Sequence, residues 1–150
     1  MKKIKEIMNR EVPLLHRNTS FSEILRIFAD SVYSALPVVD EKGRLIGLIS
    51  LKDVLPNLLL PKEELALLEK LPFFADFFAE SDEIVQELKN LLVVSDIMQE
   101  KNFTTINEED SLVKAVILMK ERDVRQLIVI NKDNRPTGVL SYNDICRSLI

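Results

Sequence analysis

Two copies of one short pattern hold the residues best suited to chemistry. They are Gly47, Ser50 and Asp53 in GLISLKD, and Gly138, Ser141 and Asp144 in GVLSYND. Glycine at the end of an apolar run lets another group approach the backbone closely. A serine hydroxyl beside the free amides of a helix start can receive a phosphate. An aspartate there repels that phosphate but accepts hydrogen bonds from a ribose diol. Together the three suit the sugar-phosphate end of a nucleotide. The serine and aspartate also suit a plain helix cap, in which hydroxyl and carboxylate satisfy free N–H groups and the acid complements the helix dipole. Cap and ligand site can share one helix start, but a cap alone leaves the glycine unexplained.

The elements that would position these residues are themselves repeated. Residues 20–55 align with 111–146 without a gap, each position shifted by 91. Ser20, Leu36, Val38, Arg44, Gly47, Ser50 and Asp53 meet identical residues in the second stretch, and Ile7-Met8 upstream meets Ile97-Met98. Each half begins with an amphipathic helix. Ser20 stands three residues before Glu23, a capping-box spacing, and Phe21, Ile24, Leu25 and Phe28 share a face. Leu112, Ala115, Val116 and Met119 form the matching face. Two β-rich runs follow, ALPVVD and RLIGLIS around EKG, or LIVIN and PTGVLS around KDN. Gly43 and Asn134 take equivalent places in those turns, and both types accept a left-handed backbone. A short extended segment, VPLL or FTTI, precedes each helix, and a second helix closes each half. Between the halves, PKEELALLEKL and SDEIVQELKNLLV show helical periodicity with acidic first turns. FFADFF between them reads either as a satellite core or as an apolar surface for a partner or a second copy.

Composition excludes several classes of function. With 150 residues, 47% of them hydrophobic and 29% charged, the chain fits one globular domain or two small halves sharing a core. A net charge of -4 gives no electrostatic footprint for nucleic acid or an anionic membrane. VLPNLLLP is broken by prolines and too short to span a bilayer, and the basic N-terminus lacks the apolar run of a signal peptide. Cys146, the one cysteine, excludes an internal disulfide and reads as a buried packing residue of the closing helix. His16, the one histidine, has no nucleophile or carboxylate pattern beside it and reads as a surface residue. No metal-ligand spacing occurs. A soluble, cytoplasmic protein that is not an enzyme is the expectation.

The runs SALPVVDEKGRLIGLISLKDVL and RQLIVINKDNRPTGVLSYNDIC resemble the signature of the CBS domain: PVVD strand, turn, G-x-x-S/T-x-x-D and helix. The resemblance covers residues 4–56 and 94–150. It implies an α/β (α+β) fold of two pseudo-symmetric β-α-β-β-α CBS halves, 1–56 and 94–150, with a helical insertion at 57–93. Such a pair is a Bateman module, whose two clefts commonly take AMP, ADP, ATP or S-adenosylmethionine. Carried over by position, the first site comprises Val12, Pro13, Ser34, Ala35, Pro37, Gly47, Ser50 and Asp53. The second comprises Phe103, Thr104, Arg125, Gln126, Ile128, Gly138, Ser141 and Asp144. The aspartates would hold ribose, the serines phosphate and the extended segments adenine. Arg125 matches a position often basic in nucleotide-binding members, where a guanidinium pairs with phosphate bidentately. Ser34 stands there in the first half, so the second site is expected to take phosphorylated ligands first. Ile128 departs from the usual proline, and Asn131 from the aspartate that Asp40 represents.

The resemblance further implies a disc-like homodimer and a regulatory role exerted on an unidentified protein target. The other reading is a non-catalytic dimeric scaffold with vestigial clefts. Glycine, serine and aspartate in both halves favour the sensor, because a pure scaffold has no use for all three.

Overall fold

The computed structural model of the chain describes residues 2–52, 54 and 92–150. Asp53 and all but the last two residues of the 57–93 insertion, FFADFF included, lie outside the described residues. In chain order the elements are a 3-10 turn (Ile4–Glu6), β1 (Leu15–His16), α1 (Phe21–Ala29), β2 (Ala35–Val39), β3 (Leu45–Ser50), α2 (Val94–Ile97), β4 (Thr105–Asn107), α3 (Leu112–Arg122), β5 (Gln126–Ile130), β6 (Pro136–Ser141) and α4 (Tyr142–Ser148). The two stretches fold alike, into three-stranded sheets ordered β1-β2-β3 and β4-β5-β6. In each the first two strands run parallel on either side of a helix, and the last two form an antiparallel hairpin. This is the mixed α/β architecture the repeat predicts.

Local chemistry explains the shared plan. The Ser20 and Ser111 hydroxyls accept from the N–H of Glu23 and Lys114, each at 3.2 Å, and so open α1 and α3. Gly43 and Asn134 have φ of +80° and +60°, the left-handed values their turns require. The exchange of Asp40 for Asn131 is neutral to the turn. Asp40 Oδ1 accepts from the N–H of Lys42 and Arg44, and Asn131 Oδ1 from those of Asp133 and Arg135. An amide oxygen serves where only an acceptor is needed. Pro37 and Ile128 do differ in effect. Proline has no N–H for the sheet edge, and β1 pairs with β2 only at Val38 and Val39, whereas β4 pairs from Ile128 onward.

Two expectations are corrected. On α3, Ala115 and Met119 are buried, but Val116 is 45% exposed and turns outward with Val113 and Ile117. The buried stripe follows an i, i+4 row, and residue 116 lies about 100° round the helix from 115. Cys146 is exposed rather than buried, because Asp144 and Ile145 are the buried residues of α4.

The halves also exchange their leading segments. Residues 2–9 dock on the second half: Ile4 and Lys5 N–H donate to the carbonyls of Asp110 and Glu108, each at 3.0 Å, and Asn9 pairs with Val139. Residues 92–99 dock on the first half in the same manner. There Val94 and Ser95 N–H donate to Thr19 and Arg17 carbonyls at 2.9 and 3.0 Å, and Gln99 pairs with Leu48. Ile4 and Met8 are buried among Ile106, Met119, Leu127 and Leu140 of the second half, while Val94 is buried with Leu15, Phe21 and Ile49 of the first. Each such aliphatic side chain contributes about 1.5–3 kcal/mol on burial, so the crossed segments bind the halves together. Divisions drawn at 1–56 and 94–150 follow chain order, and the packing crosses them.

An ion pair cluster fastens the first of these segments. Glu109 pairs with Lys3 and Lys5 Nζ at 2.8 and 2.7 Å. Its carboxyl is held down from 4.5 to about 2, first by the hydrogen bond from Lys3 and then by that from Lys5. A carboxyl depressed in the folded state stabilises above its unfolded pKa, and that stability is lost as pH falls through the folded one. Melting curves should therefore lose stability between pH 4.5 and about 2, less steeply in Glu109→Gln and less steeply in high salt, since the three groups are solvent-accessible. Equal acid slopes for parent and variant would remove the cluster from this account.

Candidate functional site

β6 ends and α4 begins at Ser141, whose extended backbone (φ -115°) caps the helix. Its N–H and hydroxyl donate to Asp144 Oδ2 at 2.8 and 2.9 Å, and the Asp144 N–H donates back to Ser141 Oγ at 3.3 Å. The capping box is complete. The other carboxylate oxygen, Oδ1, accepts from Arg147 at 2.6 Å. Asp144 is 6% exposed and Arg147 68%, so a buried acid is joined to a surface cation.

The first half reaches the same place. Buried Tyr33 directs its hydroxyl toward the Glu11 carbonyl at 3.5 Å. Burial, then the charges of Asp144 and Glu11, hold the phenol above its ordinary pKa. Asp144 thus lies within electrostatic reach of Tyr33, in the loop before β2. Gln126 closes the seam. Its Oε1 accepts from the N–H and hydroxyl of Ser34 at 3.2 and 3.3 Å, and its Nε2 donates to the Ala35 carbonyl at 2.8 Å. Ser34 and Ala35 of the first half therefore meet Gln126 of the second across the seam.

The remaining candidates divide between this seam and the core. Ala35 pairs with Ser50, and Gln126 with Ser141, so each serine ends a strand at the seam. Ser50 is buried. Arg125 is exposed beside Ser141, its carbonyl accepting from Tyr142 N–H at 3.2 Å. Pro37 and Ile128 are buried, and Ile128 belongs with Val139 to the larger apolar cluster. Val12 and Phe103 are half-buried against that same cluster, and Pro13 and Thr104 are half-buried next to them in sequence.

The two glycines have a cause of their own. A Cβ on Gly138 would stand 2.7 Å from both the Asn9 carbonyl oxygen and Met8 Sδ. One on Gly47 would stand 3.0 Å from Met98 Sδ and 3.1 Å from the Gln99 carbonyl oxygen. The close approach the glycines permit is that of the crossed segments. Spacing pointed to close approach but not to which group makes it.

Tyr33, Glu11 and Arg147 were missed in the sequence. Arg147 had a signal, an acid and a base three apart on one helix. Tyr33 had none, because Val124 stands at the matching position. A separate open cleft of about 290 Å³ is lined by His16, Arg17, Asn18, Val39, Asp40, Glu41, Lys42 and Arg44. It contains none of the nucleotide candidates, and its Asp40 is engaged by Arg44 and the turn amides, which hold that carboxyl below its ordinary pKa. Among the described residues, no cluster of His, Cys, Asp and Glu could hold a metal, and no helix is long and apolar enough to cross a membrane.

Two α/β units of one plan, tied through Gln126 and by exchanged segments, make a tandem-repeat module. The chain belongs to the CBS domain family, whose model matches residues 4–59 and 94–150. An uncharacterized protein of Methanocaldococcus jannaschii is 26% identical across 98% of this chain and 90% of its own length. The CBS domain pair of protein MJ0100, in complex with 5-methylthioadenosine and S-adenosyl-L-methionine, superposes with a TM-score of 0.69 at 22% identity, covering 99% of this chain and 96% of that one. CBSX2 in complex with AMP gives 0.69 at 21%, with the same coverage of 99% and 96%. At these identities the two structures establish a common fold.

Proposed function

We propose that this chain is a regulatory adenine-nucleotide-binding module that acts on a partner protein through ligand-dependent conformation, and that it is not an enzyme. The observation that carries the reading is the buried carboxylate of Asp144, bonded by Ser141 and near enough for its charge to act on Tyr33 of the other half. A buried acid at a seam between halves can hold a ribose diol and tie the ligand to their relative position. Two proteins of the same fold carry adenosine compounds, which supports the choice of AMP, ADP, ATP or S-adenosylmethionine. Arg125, exposed beside Ser141, supplies the phosphate cation, and Ser34 stands at the matching position of the first half.

A second reading has an observation in its favour. The Ser141–Asp144 box is complete without a ligand, and the crossed segments account for both glycines. A dimeric scaffold would need no more. Thermal shift against AMP, ADP, ATP, adenosine and S-adenosylmethionine separates the two. The module gains melting temperature with at least one nucleotide, and in Arg125→Ala the AMP affinity drops roughly tenfold while that for adenosine holds. A flat panel would favour the scaffold.

Assembly into a homodimer belongs to the same proposal, as does a cytoplasmic setting. Val113, Val116 and Ile117 leave an outward apolar stripe on α3, 45–49% exposed, which suits helix-to-helix contact between copies. Light scattering should give twice the chain mass, and a monomer at micromolar concentration would remove this part.

A further inference from the structure

We propose that Arg147 is a latch on Asp144: a specificity residue that holds the carboxylate in the empty site and yields it when a nucleoside ribose binds. The inference rests on the nucleotide reading above and concerns how the same site is controlled. An ionised carboxylate offers about four accepting directions. At Asp144, Oδ2 already receives two hydrogen bonds from Ser141, while Oδ1 receives the guanidinium of Arg147 at 2.6 Å. A diol needs two accepting positions close together, and the Oδ1 side is where they remain. Ribose therefore meets Arg147 before it can be held.

The burial of the two partners makes the exchange feasible. Asp144 is 6% exposed and cannot turn to water for compensation, whereas Arg147 at 68% can leave for solvent. Releasing an exposed guanidinium costs little, so the latch tunes affinity rather than blocking it. Tyr33 is the other group that senses the Asp144 charge, and Glu11 adds its own negative charge beside that phenol. Neither is a cation, so Arg147 is the one guanidinium seen to neutralise the carboxylate among the described residues. In the first half Pro56 stands at the position that Arg147 takes in the second. The second site is then regulated by ionic strength, even toward a ligand with no charge.

The test is calorimetry of the full chain with adenosine, at low and at high sodium chloride, for the parent, Arg147→Ala and Arg147→Gln. Adenosine has no phosphate, so a salt effect on its affinity reports the latch. The variants are expected to bind roughly twofold to fivefold more tightly than the parent at low salt. Raising the salt should bring the parent toward the variants, whose affinity stays level. Unchanged or weaker binding in both variants, with the parent's salt response retained, would overturn the latch and leave the nucleotide reading standing. If no protein of the three bound adenosine or AMP, both would fall.

Discussion

Asp144→Ala loses adenine-nucleotide affinity by roughly 10- to 100-fold. A hydrogen bond to a charged acceptor contributes about 1.5–3 kcal/mol, and a ribose diol would place its donors on this carboxylate. The same change also removes the acceptor for the Ser141 N–H and hydroxyl, so the helix cap weakens by about 1 kcal/mol. Affinity and stability must therefore be read separately, the first by calorimetry and the second by urea unfolding. Asp144→Asn assists the separation. Its amide oxygen can still accept from Ser141, so stability should stay near the parent while binding falls. Parent-like affinity in both variants, together with lowered stability in the alanine variant, would mean that the aspartate is a cap and nothing more.

Gly138→Ala is expected to cost about 1–3 kcal/mol, and Gly47→Ala less than about 1. In most strands the change from glycine to alanine would stabilise slightly by restricting the unfolded chain. At Gly138 the new methyl would come 2.7 Å from the backbone oxygen of Asn9 as well as from Met8 Sδ, and a backbone carbonyl in a strand bridge cannot step aside. At Gly47 the nearest atom, at 3.0 Å, belongs to the flexible thioether of Met98, and the Gln99 oxygen is at 3.1 Å. The two halves should thus respond unequally to one substitution. Urea unfolding gives the ranking, and limited proteolysis shows whether residues 2–9 have come away. A Gly47→Ala protein destabilised as much as Gly138→Ala would contradict the packing argument.

Much of this was legible in the residues because the determinants are local. Serine caps, the left-handed turn positions at 43 and 134, and the β-rich composition of the hairpin strands each act within a few residues. The G-x-x-S-x-x-D repeat marked where strand gives way to helix in both halves. What the sequence left open is long-range. Ile7-Met8 and Ile97-Met98 match as a repeat, yet equality of the two copies conceals that each docks on the other half. The seam at Gln126 and Ser34 was hidden for the same reason, since an alignment of halves places these residues in different sites. Val116 was misplaced because α3 is apolar on two sides, and periodicity cannot tell which side meets the sheet. Arg147 was overlooked although its spacing from Asp144 was plain, because the motif ended at the aspartate.

The most direct measurement is a titration of the isotopically labelled protein with AMP, followed by amide chemical shifts. The account predicts saturable changes concentrated at Ser141 through Asp144, at Arg125 and Gln126, and at Tyr33 and Ser34 across the seam. Absence of any saturable change, or changes centred on the cleft at His16, Arg17 and Lys42 instead, would contradict it.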